Sequence, residues 1–223
     1  MSDNGKFSVD TEQLKNETKD TVNQVKDTIK NVDFKKDTEA TKGFLKEMVL
    51  NPFETIKQIA NNQRNILANV VVLMVIFIGV SVICEVISLA KYGKYSGFGS
   101  NVIDLLASFL NPIFYILVPA VVVLLFNTKN RKTLTTVICT LVAAAIPTIL
   151  SNVIDVVEVL VSGISIVSSP ISTALAALTT VFTYFGMKNL FGEEDDCAFF
   201  KKFAMIKLVA AFVLVVLGRI GIY

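Results

Sequence analysis

Five apolar stretches, each long enough to cross a lipid bilayer, constrain this chain more than any other feature. A spanning helix needs about 20 mostly apolar residues, because each residue advances a helix by about 1.5 Å and the hydrocarbon core is about 30 Å thick. Hydrophobic residues make up 53% of the 223 residues, more than in a typical soluble domain. We therefore predict an all-α, polytopic integral membrane protein with five transmembrane helices. The predicted spans are 66–84, 105–126, 133–150, 165–185 and 203–222.

Charge divides the chain into two regions. Residues 1–65 hold 22 of the 40 charged residues, 11 of them basic and 11 acidic, so this segment has no net charge. It is therefore not a polybasic lipid anchor. We predict a polar, partly disordered cytoplasmic arm over 1–50, an interfacial amphipathic helix over 51–65, and a five-helix transmembrane domain over 66–223.

Lysines and arginines near the ends of the predicted spans indicate the orientation. With the N-terminus inside, nine basic residues lie near the inner ends of the spans and three near the outer ends. The inner set is Lys46, Lys57, Arg64, Lys129, Arg131, Lys132, Lys188, Lys201 and Lys202, and the outer set is Lys91, Lys94 and Arg219. Five crossings then place the C-terminus outside, in a multi-pass protein of the cell membrane.

The chain contains no histidine, which removes Ser/His and Cys/His catalytic pairs, the HExxH motif and most zinc sites. Neither GxxxxGK[ST] nor GxGxxG occurs, and no two spans carry facing aspartates at mid-membrane. The three cysteines, Cys84, Cys139 and Cys197, lie far apart and form no CxxC motif. We therefore expect a non-enzymatic protein that needs no cofactor or metal and binds no nucleic acid.

Four acidic residues fall near the predicted outer surface: Glu85, Asp104, Asp155 and Glu158. One interpretation is an ordinary polar rim with a few ion pairs, in which Asp104 follows Asn101 at the capping-box spacing. The other interpretation is an acidic outer cup that collects cations. The sequence leaves both open.

Prolines mark positions where the spans can bend. Pro112 and Pro119 lie seven residues apart in the second span, on nearly the same face, and Pro147 lies late in the third span. Each proline removes a backbone donor and bends its helix. At Pro112 and Pro119 the bend is either part of the bundle shape or a hinge beside a substrate cavity.

Small residues indicate that the third and fourth spans are packed neighbours, because they allow close approach of two backbones. They are Ala143, Ala144, Ala145, Ala174, Ala176 and Ala177. Thr179, Thr180 and Thr183 could hydrogen-bond across this interface or back to the carbonyl four residues earlier. Pro170 is expected in the first turn of the fourth span, after a serine cap.

The N-terminal arm carries a thin apolar stripe of Val22, Val25, Ile29 and Val32 at spacings of three and four residues. The sequence allows two interpretations of the arm. The arm is either a solvated and partly disordered tail or a helix that folds on docking to a partner.

The end of the arm is predicted to form a helix that lies on the membrane surface. In Asn51-Pro52-Phe53-Glu54, the asparagine can cap a helix, the proline suits its first position and Glu54 closes a capping box. Phe53, Ile56, Ile59 and Ala60 then share one apolar side.

The layout of five spans, a polar N-terminus and a very short external C-terminus resembles the Yip family of small membrane proteins. Asn51-Pro52-Phe53-Glu54-Thr55-Ile56, just before the first span, is similar to the Asn-Pro entry of bacterial members. The resemblance covers roughly residues 45–222. It implies a role in membrane organisation, because eukaryotic relatives act in membrane traffic with Rab-type GTPases and with one another. The Asp-Leu-Trp-Gly-Pro type of motif is absent, and no functional residue of the family carries over.

We accordingly expect a non-enzymatic membrane scaffold or adaptor of Yip type that engages a cytoplasmic protein through residues 1–50. The alternative is a transporter or channel component with an outward-facing acidic cup. The lipid bilayer is an expected partner in either case, and the sequence leaves self-association open.

Overall fold

The computed structural model describes residues 11–92, 98–127, 132–161, 165–193 and 195–219. Every regular element within these ranges is an α-helix. The helices are α1 (Thr11–Asn31), α2 (Phe34–Leu50), α3 (Pro52–Ala60), α4 (Leu67–Tyr92), α5 (Phe98–Phe126), α6 (Leu134–Ala144), α7 (Ile146–Leu160), α8 (Ser165–Phe191) and α9 (Asp196–Arg219).

Three of these helices are long and apolar enough to cross a membrane. Their spanning segments are Leu67–Lys91 in α4, Asn101–Phe126 in α5 and Ser168–Phe191 in α8. A fourth span is formed if α6 and α7 act together, because the pair is bent by 48° at a short break. The described residues are thus all-α, with three helices that could cross a membrane, or four spans if the bent pair is one.

The third predicted span differs from the observed helices. We predicted one helix over 133–150 followed by a connection over 151–164, whereas the structure breaks at Ala145 and continues as α7 to Leu160. Pro147 sits at the start of α7, where the missing backbone donor costs nothing. The proline predicted to bend this span therefore lies beside a complete break.

The last helix, α9, has 24 residues and is long enough to span a bilayer. It carries Lys201, Lys202, Lys207 and Arg219, so any 18-residue stretch of it contains at least three charged side chains. By composition α9 therefore stands apart from the three apolar helices.

The bundle has an arm end and a far end. At the arm end, α4 and α6 begin and α8 ends, near Leu67, Leu134 and Phe191. At the far end, α4 and α7 end, near Tyr92 and Leu160. The arm end holds the most tightly buried side chains, including Phe44, Ile56, Ile59, Val137, Met187 and Leu190.

Helix α3 contributes Ile56, Ile59 and Ala60 to this core and packs against α6 and α8. The apolar side predicted to rest on the membrane surface is thus buried largely against protein. Phe53 is an exception: it is partly exposed and contacts Phe182 and Phe185 of α8 edge to face, with ring centroids 5.7 Å and 5.0 Å away.

The positions at which the helices begin, and the residues that cap them, were predicted less accurately than the presence of the helices. Pro52 occupies the first turn of α3 as expected, but the Asn51 side chain makes no capping hydrogen bond. Helix α5 already begins at Phe98, so Asn101 lies inside the helix and not at its cap. Helix α8 begins at Ser165, which places Pro170 in the second turn.

Candidate functional site

The break between α6 and α7 lies inside the bundle. Ala143, Ala144 and Ala145 are buried there, and α7 packs along both α4 and α8. The backbone N–H of Ala145 donates to the carbonyls of Leu141 and Val142, which tightens the last turn of α6 before the chain bends. Broken helices at membrane depth are common where a protein forms a binding cavity.

A chain of three hydroxyl groups crosses the bundle just after the break. Tyr115 Oη of α5 lies 3.4 Å from Thr148 Oγ1 of α7, and Thr148 Oγ1 lies 2.9 Å from Thr179 Oγ1 of α8. Thr179 donates its single hydroxyl proton to the Leu175 carbonyl at 3.1 Å. Thr148 must therefore donate to Thr179, and Tyr115 to Thr148, so the chain has one direction.

Both kinds of hydrogen bond predicted for the threonines of α8 occur, one within the helix and one across the interface. Thr179, Thr180 and Thr183 all donate to the carbonyl four residues earlier. Thr179 also accepts across the interface from α7, which confirms that the third and fourth spans are neighbours. The close packing uses the alanines of α6, whereas Ala174, Ala176 and Ala177 of α8 are exposed.

Two cavities flank Tyr115. One of about 170 Å³ lies between α4, α5 and α7, and its polar lining includes Ser81, Asn111 and Asn152. The other, of about 190 Å³, lies between α5, α6, α8 and α9. Its polar lining, besides Tyr115, is Thr179, Thr183 and Lys207.

No pattern in the sequence analysis placed Tyr115, Thr148 or Lys207 in a common site. The position of Thr148 directly after Pro147 is the one signal that could have pointed to this site. The two prolines predicted as a hinge line the cavities, Pro112 the first and Pro119 the second. Helix α5 is continuous through both, and the hinge stays a prediction.

The predicted acidic cluster lies at the far end and is only partly assembled. Ser168 of α8 donates to Glu158, and Ser172 lies 3.5 Å from Asp155 Oδ1, so these two carboxylates of α7 face α8. Glu85 belongs to α4 and the exposed Asp104 to α5. Within the described ranges, no ion pair joins any of the four acids to a basic residue.

One of the predicted outer cations also has a defined partner. Lys91 Nζ donates to the carbonyl of Val159 in the last turn of α7. A cation is favourable at a helix C-terminus, where carbonyls lack intrahelical donors. Lys94 lies outside the described residues. The acidic cup itself stays a prediction.

Helix α1 is joined to the arm end through polar groups. Thr135 of α6 donates to Gln24 Oε1 at 3.0 Å and also lies 3.3 Å from the buried Thr21 Oγ1. The apolar stripe predicted for α1 is divided, since Val22 is 58% exposed and Ile29 is 56% exposed whereas Val25 and Val32 are half-buried. The helix thus packs with a mixed side that includes Thr21 and leaves one edge of its stripe outside.

Helix α2 is attached more firmly. Phe44 and Met48 are buried, and Arg64 pairs with Glu47 while its guanidinium lies 5.4 Å from the Phe44 ring centroid. Asn69 of α4 donates to Thr41 Oγ1 at 3.3 Å. These contacts hold α2 against the start of the first span.

Among the described residues, no group of three or more Cys, Asp or Glu side chains is placed to hold a metal ion. Comparisons with known protein families, with curated proteins and with solved structures find no match for this chain. The function is therefore argued from the residues and their arrangement.

Proposed function

We propose that this chain is a non-enzymatic integral membrane adaptor of Yip type in the cell membrane. It crosses the bilayer five times, with the N-terminus in the cytoplasm and the C-terminus outside. The spans are α4, α5, the α6–α7 pair, α8 and α9. Helices α1 and α2 then form a cytoplasmic platform at the arm end, which engages a protein partner.

The observation that carries this proposal is the orientation of α1. Its polar side contacts α6 through Thr21 and Gln24, while Val22 and Ile29, one heptad apart, remain exposed. Although Val25 and Val32 are half-buried, the exposed valine and isoleucine present a short apolar seam to another molecule. Seams with this spacing suit an amphipathic helix of a partner.

The five-span arrangement is supported by the charges at the two ends of α9. Lys201 and Lys202 lie in its second turn and Arg219 at its end, with a largely apolar stretch between them. Such flanking cations are typical of spanning helices whose lysines reach the interface. Lys202 pairs with Glu193 at 2.6 Å, which lowers the charge that must approach the membrane.

The adaptor proposal is tested by photo-cross-linking in the full chain from position 26, an exposed site on α1 between Val22 and Ile29. The comparison is between Val22→Asp with Ile29→Asp and a control with Asn23→Asp and Asn31→Asp. Both variants add two negative charges to exposed positions of α1, but only the first changes the apolar stripe. The adaptor role predicts one defined adduct, reproduced with the purified partner, that is lost in the stripe variant and kept in the control. Equal adduct yields in all three proteins would contradict it.

A second candidate function is a transporter or channel component with an outward-facing acidic cup. It is favoured by the broken third span beside the hydroxyl chain and the two cavities. Liposome flux of monovalent cations is measured for Asp155→Asn with Glu158→Gln, against Asp20→Asn with Glu39→Gln as a control of equal charge change. Flux that is lost in the first variant alone favours this function, and an absence of protein-dependent flux rejects it.

A further inference from the structure

We propose that the cavity between α5, α6, α8 and α9 binds the headgroup of an anionic phospholipid through Lys207. The preferred lipid carries free hydroxyl groups, as phosphatidylglycerol does. This inference rests on the proposed insertion of α9 in the membrane and is independent of the adaptor role.

The first argument is the charge of the cavity. Among the described residues that line it, Lys207 is the only charged one. In the described part of the chain, no carboxylate lies within ion-pair distance of Lys207, in contrast to Lys188 and Lys202, which pair with Asp196 and Glu193. The Lys207 ammonium instead lies 5.8 Å from the Phe203 ring centroid. A lysine in a spanning helix is costly without a partner, so an anion from outside the chain is favoured.

The second argument is the depth of Lys207. It follows Lys202 by five residues, which is about 7.5 Å along α9. Lys201 and Lys202 mark the membrane boundary in the proposed topology, and a lysine side chain extends several ångströms toward it. The ammonium group is therefore within reach of the phosphate layer of the adjacent leaflet. Basic pockets between spanning helices on the cytoplasmic side are known to bind lipid headgroups.

The third argument is access from the lipid. The N-terminal part of α9 packs against α8 through Phe199 and Phe203, whereas Ala211, which lines the cavity farther along α9, is exposed. The cavity of about 190 Å³ has room for several water-sized groups, which suits a headgroup and excludes two acyl chains. The acyl chains would lie on the apolar outer face of α9, where Leu208, Phe212 and Val215 are exposed.

The fourth argument concerns hydroxyl groups. Thr179 and Thr183 already donate their protons to carbonyls of α8, at 3.1 Å and 2.6 Å. Toward the cavity they can therefore only accept. The site combines an ammonium that donates to phosphate with oxygens that accept from a hydroxyl. This combination selects a phosphodiester whose headgroup has free hydroxyls over a zwitterionic choline headgroup.

The test is native mass spectrometry of the full chain released from micelles with defined lipids. Phosphatidylglycerol is expected to give at least tenfold more bound-lipid adduct than phosphatidylcholine. Lys207→Gln is expected to remove this preference, whereas Lys201→Gln, the same charge loss at an exposed neighbour, keeps it. Thr183→Val is expected to reduce the ratio of phosphatidylglycerol to phosphatidic acid adducts, since phosphatidic acid lacks the headgroup hydroxyls.

Three outcomes overturn the lipid site. They are equal adducts for the two main lipids, an unchanged preference in Lys207→Gln, and binding of soluble glycerol phosphate that matches binding of the lipid. Insertion of α9 is measured separately by cysteine labelling of its two ends. If α9 is inserted and Lys207→Gln behaves as the unaltered chain, the lipid site alone fails. If α9 is not inserted, the topology fails first.

Discussion

Gly186 of α8 faces Thr140 of α6 and Ile56 of α3. A methyl group at its Cα would lie 2.9 Å from Thr140 Cγ2 and 3.2 Å from Ile56 Cγ2. Both neighbours are fully buried, and Thr140 is held by its hydrogen bond to the Thr136 carbonyl. Gly186→Ala is therefore expected to lower the free energy of unfolding by about 1–2 kcal/mol, because overpacking outweighs the gain in helix propensity. Denaturation in detergent micelles measures the change.

Gly79 of α4 is the matched control, because a methyl group added there meets no atom within 4 Å. Gly79→Ala is expected to leave stability unchanged or to raise it by up to about 1 kcal/mol. Equal effects of the two substitutions would contradict the close approach of α3. Nothing in the sequence separates these two glycines, since each lies in a largely apolar helix and only the neighbouring helices differ.

Thr148 occupies the middle of the hydroxyl chain, accepting from Tyr115 and donating to Thr179. Thr148→Val keeps the volume but leaves Tyr115 without this acceptor, and is expected to destabilise the bundle by about 0.5–1.5 kcal/mol. Thr180→Val is the control, because exposed Thr180 bonds only to the Ala176 carbonyl of its own helix. Thermal unfolding of both variants in the same micelles decides whether bonds between helices matter here.

The bend between α6 and α7 gives a prediction about a whole element. Pro147→Ala restores a backbone donor and should let the two helices join, which lengthens the distance between labels at residues 132 and 160 by about 3 Å. Electron paramagnetic resonance on Lys132→Cys with Leu160→Cys, in a background without other cysteines, measures this distance. Pro119→Ala should leave it unchanged. An unchanged distance in Pro147→Ala would show that packing, and not the proline, fixes the bend.

Prolines show why elements could be located from the sequence but not described in detail. Pro112, Pro119 and Pro147 all lie in apolar segments, and the sequence treats them alike. Helix α5 continues through the first two, whereas the third accompanies a break. The outcome depends on which backbone groups neighbouring helices satisfy, and that information is absent from a local pattern.

The docking of the arm helices on the bundle, like the effect of the prolines, depends on neighbouring elements that a local sequence pattern does not describe. The apolar stripe of α1 was predicted only as a surface for a partner, and nothing in the sequence indicated that Thr21 and Gln24 would contact α6. Hydropathy located the apolar helices α4, α5 and α8, because apolar length is a property of each segment alone. The docking of α1, α2 and α3 depends on complementary shape and on single hydrogen bonds, so it could not be predicted.

In the proposed topology the crossing of α9 decides the side of the C-terminus, because α4, α5, the α6–α7 pair and α8 would make four crossings. Cys197 precedes and Gly218 closely follows the apolar part of α9, and both positions are exposed. A membrane-impermeant maleimide is applied to intact cells that express single-cysteine variants: native Cys197 alone, Gly218→Cys, and Ala90→Cys at the far end.

Five spans predict that positions 90 and 218 react from outside, whereas Cys197 reacts only after the membrane is permeabilised. The physical reason is that the apolar stretch between Lys207 and Arg219 has a lower free energy in lipid than in water. If Cys197 and position 218 react together, on whichever side, α9 lies along the bundle without crossing. The C-terminus would then share the side of the N-terminal arm, and the five-span topology would be replaced by a four-span one.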